Sequence, residues 1–171
     1  MKGNAIGSGF ALTDHFGKSV TEADYKGQFA LIFFGFTHCK LVCPRALTRI
    51  SEALDLLGDQ AANIKPLYVT VDPERDTPDV MRNFLETPWP RFTGLTGKRE
   101  AIDQVRAAFK VFATKVADPS DPEGYDMPHT ALTYLMDARF QYLAHYPDTM
   151  DAARLAQELC RETAQSRKGL K

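Results

Sequence analysis

The chain has 171 residues, 44% of them hydrophobic and 25% charged, a composition that excludes disordered, collagenous and coiled-coil classes and, at about 100–200 residues per domain, suits one domain. Its 21 basic and 22 acidic residues leave a net charge of −1, with no broad cationic field to hold nucleic acid or an anionic membrane. Three cysteines are too few for a disulfide-built scaffold, and the longest apolar run, Phe29–Phe36, falls far short of the roughly 20 residues that span a bilayer.

The opening stretch, MKGNAIGSGF, carries no hydrophobic signal region. Residues 10–20, FALTDHFGKSV, read as a hairpin turned by Asp14, His15 and Gly17. Phe29–Phe36 is apolar on both alternating faces, the pattern of a strand buried in mid-sheet. Leu47, Ile50, Leu54 and Leu57 then recur at helical spacing, with Gly58 as the stop. IKPLYVTV, residues 64–71, is a second buried strand. Thr77 and Pro78 suit a cap and a first helical position. Val80, Met81, Phe84 and Leu85 give that helix an apolar face, and Pro88 ends it. Residues 91–95 form a short strand, Ile102, Val105 and Phe109 mark a third helix, and 111–116 are expected to form a strand. Residues 117–128, with three prolines and a glycine, read as an exposed loop. Residues 131–137 and 140–146 pair as strands through Asp137–Arg139, and Ala152, Leu155, Ala156 and Leu159 give a final helix. This order predicts an α/β fold: a mixed central sheet flanked by helices on both faces, with an N-terminal β-hairpin.

HCKLVCP sets Cys39 and Cys43 four residues apart, between the most buried strand and a helix. Ligand sites in open α/β sheets collect at such strand ends. Pro44 belongs in the first helical turn and disfavours helical geometry at the residue before it. Both cysteines are therefore expected in the loop ahead of the helix, facing N-terminal amides that favour thiolate over thiol. Such a pair can close a disulfide if its Cα atoms lie within about 7 Å. It can also grip a soft cation such as Cu(I) or Zn, or be two inert buried thiols. Cys160, on the last helix, reads as a packing residue. His15 and His145 read as surface or satisfied polar groups, and His38 as pointing away from Cys39, as neighbours on extended backbone do. His129 opens the strand at 131–137 and faces the thiols if that strand is the antiparallel neighbour of Phe29–Phe36. The acidic stretch Asp72–Asp76 is expected either to face a partner or to be a solvated loop with capping duty at Asp76–Thr77.

Three segments, GFTHCKLVCPRAL (35–47), VTVDPERDTP (69–78) and HTALTYLMD (129–137), resemble the Sco/SenC copper-chaperone family. These are thioredoxin-like proteins that help build the binuclear copper centre of cytochrome c oxidase. The likeness runs from the FALTDHFGKSV hairpin through GLTG (94–97) to the final helix. It implies one thioredoxin-like domain over residues 1–171 and copper, Cu(I) or Cu(II), held by Cys39, Cys43 and His129. It also implies that Cys39 and Cys43 can serve as a redox pair. The implied partners are the copper-bearing subunit of cytochrome c oxidase and another copper chaperone, with no nucleic acid and no membrane contact by this chain itself. The implied location is the periplasmic side of the bacterial inner membrane, in a full-length form with a membrane anchor that this chain lacks.

The chain departs from the family pattern at Lys40 and Leu41, where Pro-Asp is usual, and at Pro128, where an aspartate is usual. A proline just before this strand is a feature of disulfide-exchanging thioredoxin folds, in which its bond is often cis. Met127 is a nearby thioether able to add a copper ligand, although packing is its expected role. The competing reading is a thiol–disulfide oxidoreductase that reduces the oxidase subunit or another target, or a redox sensor. A peroxidase would need an arginine constellation, for which Arg45 is the only close candidate.

Overall fold

Two short strands, β1 (Ala11–Asp14) and β2 (Ser19–Thr21), pair antiparallel at the start of the computed structural model, which describes residues 6–7, 9–121 and 124–169. Asp14 shapes their turn: its Oδ1 accepts the Phe16 and Lys18 amides, and Gly17 takes a positive φ of 86°. Strand β3 (Phe29–Gly35) is buried at every residue and leads to α1 (Val42–Leu57), which stops at Gly58 with φ 56°. Strand β4 (Ile64–Thr70) precedes α2 (Pro78–Leu85), whose cap Thr77 accepts the Val80 amide through its hydroxyl. Then come β5 (Thr93–Thr96), α3 (Arg99–Phe109), β6 (Val116–Ala117), β7 (Tyr125–Asp126), β8 (Leu132–Met136), β9 (Tyr142–Pro147) and α4 (Ala152–Lys168).

The main sheet runs β2-β1-β5-β4-β3-β8-β9. β3 pairs parallel with β4 and β4 with β5, whereas β8 joins β3 antiparallel. The double-sided apolar pattern of β3 follows from this central place, because both faces of the sheet are covered. Phe29, Leu31 and Phe33 pack with residues of α1, α2 and α4. Ala30, Ile32 and Phe34 pack with Ile102, Val105 and Phe109 of α3 on the other face. The expected mixed sheet with helices on both sides is the observed architecture. Among the described residues no helix is long and apolar enough to cross a membrane.

Three local expectations are corrected. Cys43 is inside the first turn of α1, not in the loop before it. Pro44 is no obstacle there, because the first amides of a helix lack intrahelical partners in any case. Residues 111–116 do not add a strand to the main sheet. Their backbone serves the segment that carries His129: Thr114 donates to the Pro128 carbonyl, Thr130 donates to the Phe112 carbonyl, and Ala113 bridges His129. The proline-rich stretch is not wholly exposed loop either. It contains the β6–β7 ribbon, and Met127 is 6% exposed within the core, so it packs as expected. No peptide bond among the described residues is cis, so the Met127–Pro128 bond is trans.

Candidate metal centre

β3 delivers the chain to the site. After Gly35 the backbone turns through Thr37, and the Cys39 amide donates back to the Phe36 carbonyl at 3.2 Å. Cys39 is half-buried, while Cys43, on the inner face of α1, is fully buried. The helix supplies the first polar contact: the Cys43 amide donates to Cys39 Sγ at 3.5 Å.

β8 brings the imidazole. Its register with β3 pairs Phe33 with Thr133, so the residues just before β8 lie beyond the carboxyl end of β3, beside α1. The His129 ring is held edge-on by Phe33 and Phe36, with centroids 6.2 and 5.9 Å away. Its Nδ1 lies 2.9 Å from the Thr130 carbonyl oxygen, which can only accept, so Nδ1 carries the hydrogen. In the neutral ring Nε2 then keeps its lone pair, and it lies 3.7 Å from Cys43 Sγ. The structure thus brings together all three residues singled out in the sequence, with Cys43 bonded to Cys39 through its amide and set beside His129 through its sulfur.

The two thiols are unequal. The Cys43 hydrogen bond pushes the Cys39 pKa far down against the opposing effect of burial, and His129 and the Cys43 and Leu41 amides add to the shift. Cys43 moves up, first because its hydrogen bond to Cys39 is made by the thiol form, then through burial and the Cys39 charge. Cys39 is thus the more acidic of the two, and a groove of about 290 Å³ opens its sulfur to solvent between Leu41, Tyr125 and Asp126.

Asp76 holds the site loop in place. It is fully buried and accepts from the Thr37 amide at 3.0 Å, the Thr37 hydroxyl at 2.6 Å and the Thr70 hydroxyl at 2.6 Å. Burial raises its pKa despite those three donors. Asp72 is buried too, between Arg75 Nε at 2.5 Å and the Tyr125 hydroxyl at 2.6 Å. The Arg75 guanidinium in turn lies 3.6 Å from the Tyr125 ring centroid. The solvated-loop reading of Asp72–Asp76 is therefore corrected at both aspartates, which anchor the site loop and the β6–β7 ribbon from within. A carboxylate at each end of a strand-to-helix turn was the available signal, but Tyr125 and Tyr68 had none.

Behind Cys43 stands Tyr68, fully buried on β4 with its hydroxyl against the thiol. Gly35 makes room for both: a Cβ there would lie 2.6 Å from Tyr68 Oη and 2.7 Å from Cys43 Sγ.

The other candidates lie elsewhere. His15 is buried and accepts the Gly94 amide at 2.7 Å, while His145 is exposed beside the Tyr142 hydroxyl. His38 is exposed and contacts the Thr37 hydroxyl. Arg45 pairs with Asp148 at 2.5 Å. Among the described residues, no three His, Cys, Asp or Glu side chains already form a metal cage. Cys39, Cys43 and His129 are joined instead by sulfur-centred hydrogen bonds.

A sequence model of the SCO1/SenC family matches residues 1–164. The SCO2-like protein of Rickettsia felis is 39% identical over 141 residues, an alignment covering 82% of this chain and 69% of that protein. Among solved structures, Bradyrhizobium japonicum ScoI with copper bound is 42% identical, with a TM-score of 0.84 over 92% of this chain and 99% of that one. Arabidopsis thaliana ScoI with copper bound is 31% identical, with a TM-score of 0.89 over 94% and 99%.

Proposed function

The chain belongs to the SCO1/SenC family, and from that premise we propose that it is a copper-binding assembly factor for the binuclear copper centre of cytochrome c oxidase, with Cys39, Cys43 and His129 as its ligands. The observation that carries this reading is the 3.7 Å between His129 Nε2 and Cys43 Sγ. Taking the zinc distances of about 2.3 Å to thiolate and 2.0–2.1 Å to imidazole as a guide, a metal at a tetrahedral or trigonal angle needs its two donors about 3.5–3.8 Å apart. Two soft sulfurs and an imidazole are the donor set that suits Cu(I) and accommodates Cu(II) with a further ligand. A bound cation would displace the thiol protons, because metal ligation needs thiolates and a neutral imidazole. Nδ1–H on the Thr130 carbonyl fixes the tautomer that aims Nε2 at the metal.

The proposed partner is the oxidase subunit that carries the copper centre, with a second copper chaperone as donor, and the proposed location is the periplasmic face of the inner membrane. Cys39 is the ligand open to the groove, so it is the one a recipient's thiols would reach first.

Thiol–disulfide exchange is a second reading, favoured by the inequality of the two sulfurs. The Cys39 thiolate would attack a target disulfide and release one target thiolate. Cys43 would then displace the second target sulfur, leaving the Cys39–Cys43 disulfide. His129 separates the two readings. Cu(I) titration of the reduced protein, with Cys39→Ala, Cys43→Ala and His129→Ala alongside, is the test. The copper reading expects one Cu(I) per chain and a loss of at least about a hundredfold in affinity for each variant, since even outer-shell partners are worth 10–100-fold. It fails if His129→Ala binds as wild type does.

A further inference from the structure

Tyr68 poses a question that the three ligands leave open. It is fully buried, and among the described residues its hydroxyl has no hydrogen bond of normal geometry. Buried hydroxyls nearly always have a partner. The ring has little freedom to find another: it stacks on Phe33 and Phe84, with centroids 6.4 and 5.7 Å away and planes within 11° and 25°. The nearby Asp76 carboxylate already accepts from three donors on Thr37 and Thr70. The polar atom left facing Tyr68 Oη is Cys43 Sγ, across the space that Gly35 keeps free of a side chain.

We propose that the Tyr68 hydroxyl is a positioning donor to the Cys43 sulfur, holding that sulfur at the mouth of β3 and setting how readily it gives electrons to a soft cation. The geometry favours this direction of donation. His129 and Cys39 are half-buried, whereas Tyr68 is fully buried on β4, so its O–H can still donate to the sulfur once a cation is held by the other two residues. A thiol sulfur is a weak acceptor and a thiolate is a strong one, so the contact strengthens when the sulfur ligates a cation as thiolate. The inference rests on the copper reading for its functional consequence, but the contact itself is independent of it.

The test uses the full chain as wild type, Tyr68→Phe, Cys43→Ala and the double variant. The tyrosine doublet in the ultraviolet resonance Raman spectrum reports whether a phenol donates a hydrogen bond. Cys43→Ala is expected to change that doublet when Tyr68 is present and to leave it unchanged when it is added to Tyr68→Phe. Tyr68→Phe, which keeps the ring stack and removes one unpaired buried oxygen, is expected to fold with an undiminished Tm. It should lower Cu(I) affinity about tenfold, the scale of an outer-shell partner, and shift the sulfur-to-copper(II) charge-transfer band to longer wavelength. A doublet indifferent to Cys43, or a folded Tyr68→Phe with wild-type Cu(I) affinity, overturns the proposal. If wild type itself binds no Cu(I), the copper reading falls, and the Raman comparison alone decides Tyr68. Should Tyr68→Phe fail to fold, wild type against Cys43→Ala still gives the decisive doublet.

Discussion

His129 Nε2 stands 3.7 Å from Cys43 Sγ although 86 residues separate the two along the chain. Antiparallel pairing of β8 with β3 closes that gap, and the carbonyl of Thr130 turns the right nitrogen toward the sulfur. Phe33 and Phe36 flank the imidazole and hold its ring edge-on.

Cys39 is expected to be the reactive thiol. Its pKa lies far below that of a free cysteine, chiefly through the Cys43 hydrogen bond. Alkylation by iodoacetamide should stay fast well below pH 8.5, about where an ordinary thiol ionises. Cys43→Ala removes the largest cause, so the pH at which Cys39 loses half its rate should rise. Mass spectrometry of labelled peptides gives the site, and equal profiles in the two proteins would contradict the assignment.

Asp76 should make stability fall as pH rises. Its pKa in the folded protein is raised above the ordinary 3.8, so the folded state holds that proton more tightly than the unfolded chain. The contribution is fully present below about pH 4 and is lost as pH climbs through the raised value. Urea unfolding across that window should show the slope in wild type and not in Asp76→Asn. Asp76→Ala strands the Thr37 and Thr70 donors and should cost roughly 1–3 kcal/mol at acid pH.

The β6–β7 ribbon is latched from the core side. Arg75 lies on the Tyr125 ring, and Asp72 accepts the Tyr125 hydroxyl. Tyr125→Ala should speed hydrogen exchange in residues 116–130 and weaken copper binding several-fold through a less constrained His129. If residues 117–130 exchange identically with and without copper in wild type, the ribbon does not move on binding and the latch is purely structural.

Gly35→Ala should damage the site while leaving the sheet paired. The new Cβ would fall within 2.7 Å of both Cys43 Sγ and Tyr68 Oη, neither of which can retreat through a packed core. Overpacking of this kind costs typically about 1–3 kcal/mol. Thermal unfolding should show that loss, with Cu(I) affinity falling alongside it. Wild-type affinity in a folded Gly35→Ala would mean that Cys43 has room the structure denies it.

The elements were legible where the signal is local. The apolar runs of β3 and β4 announced strands covered on both faces, and Thr77-Pro78 and Gly58 marked helix ends through their own backbone chemistry. The thiol pair at a strand end was visible as a site, and the family resemblance picked out His129. Tertiary packing alone decided the rest. Whether residues 111–116 joined the main sheet depended on which backbone partners were free, and those lay in 128–130. Pro44 argued against helix at Cys43, yet the helix begins one residue earlier because its first amides need no partner. Asp72, Asp76 and Tyr125 read as loop residues, and Tyr68 as one more residue of a buried strand, until the fold set what their polar atoms face. Burial and the choice of hydrogen-bond partner are properties of chain segments brought together from far apart, and no local pattern encodes them.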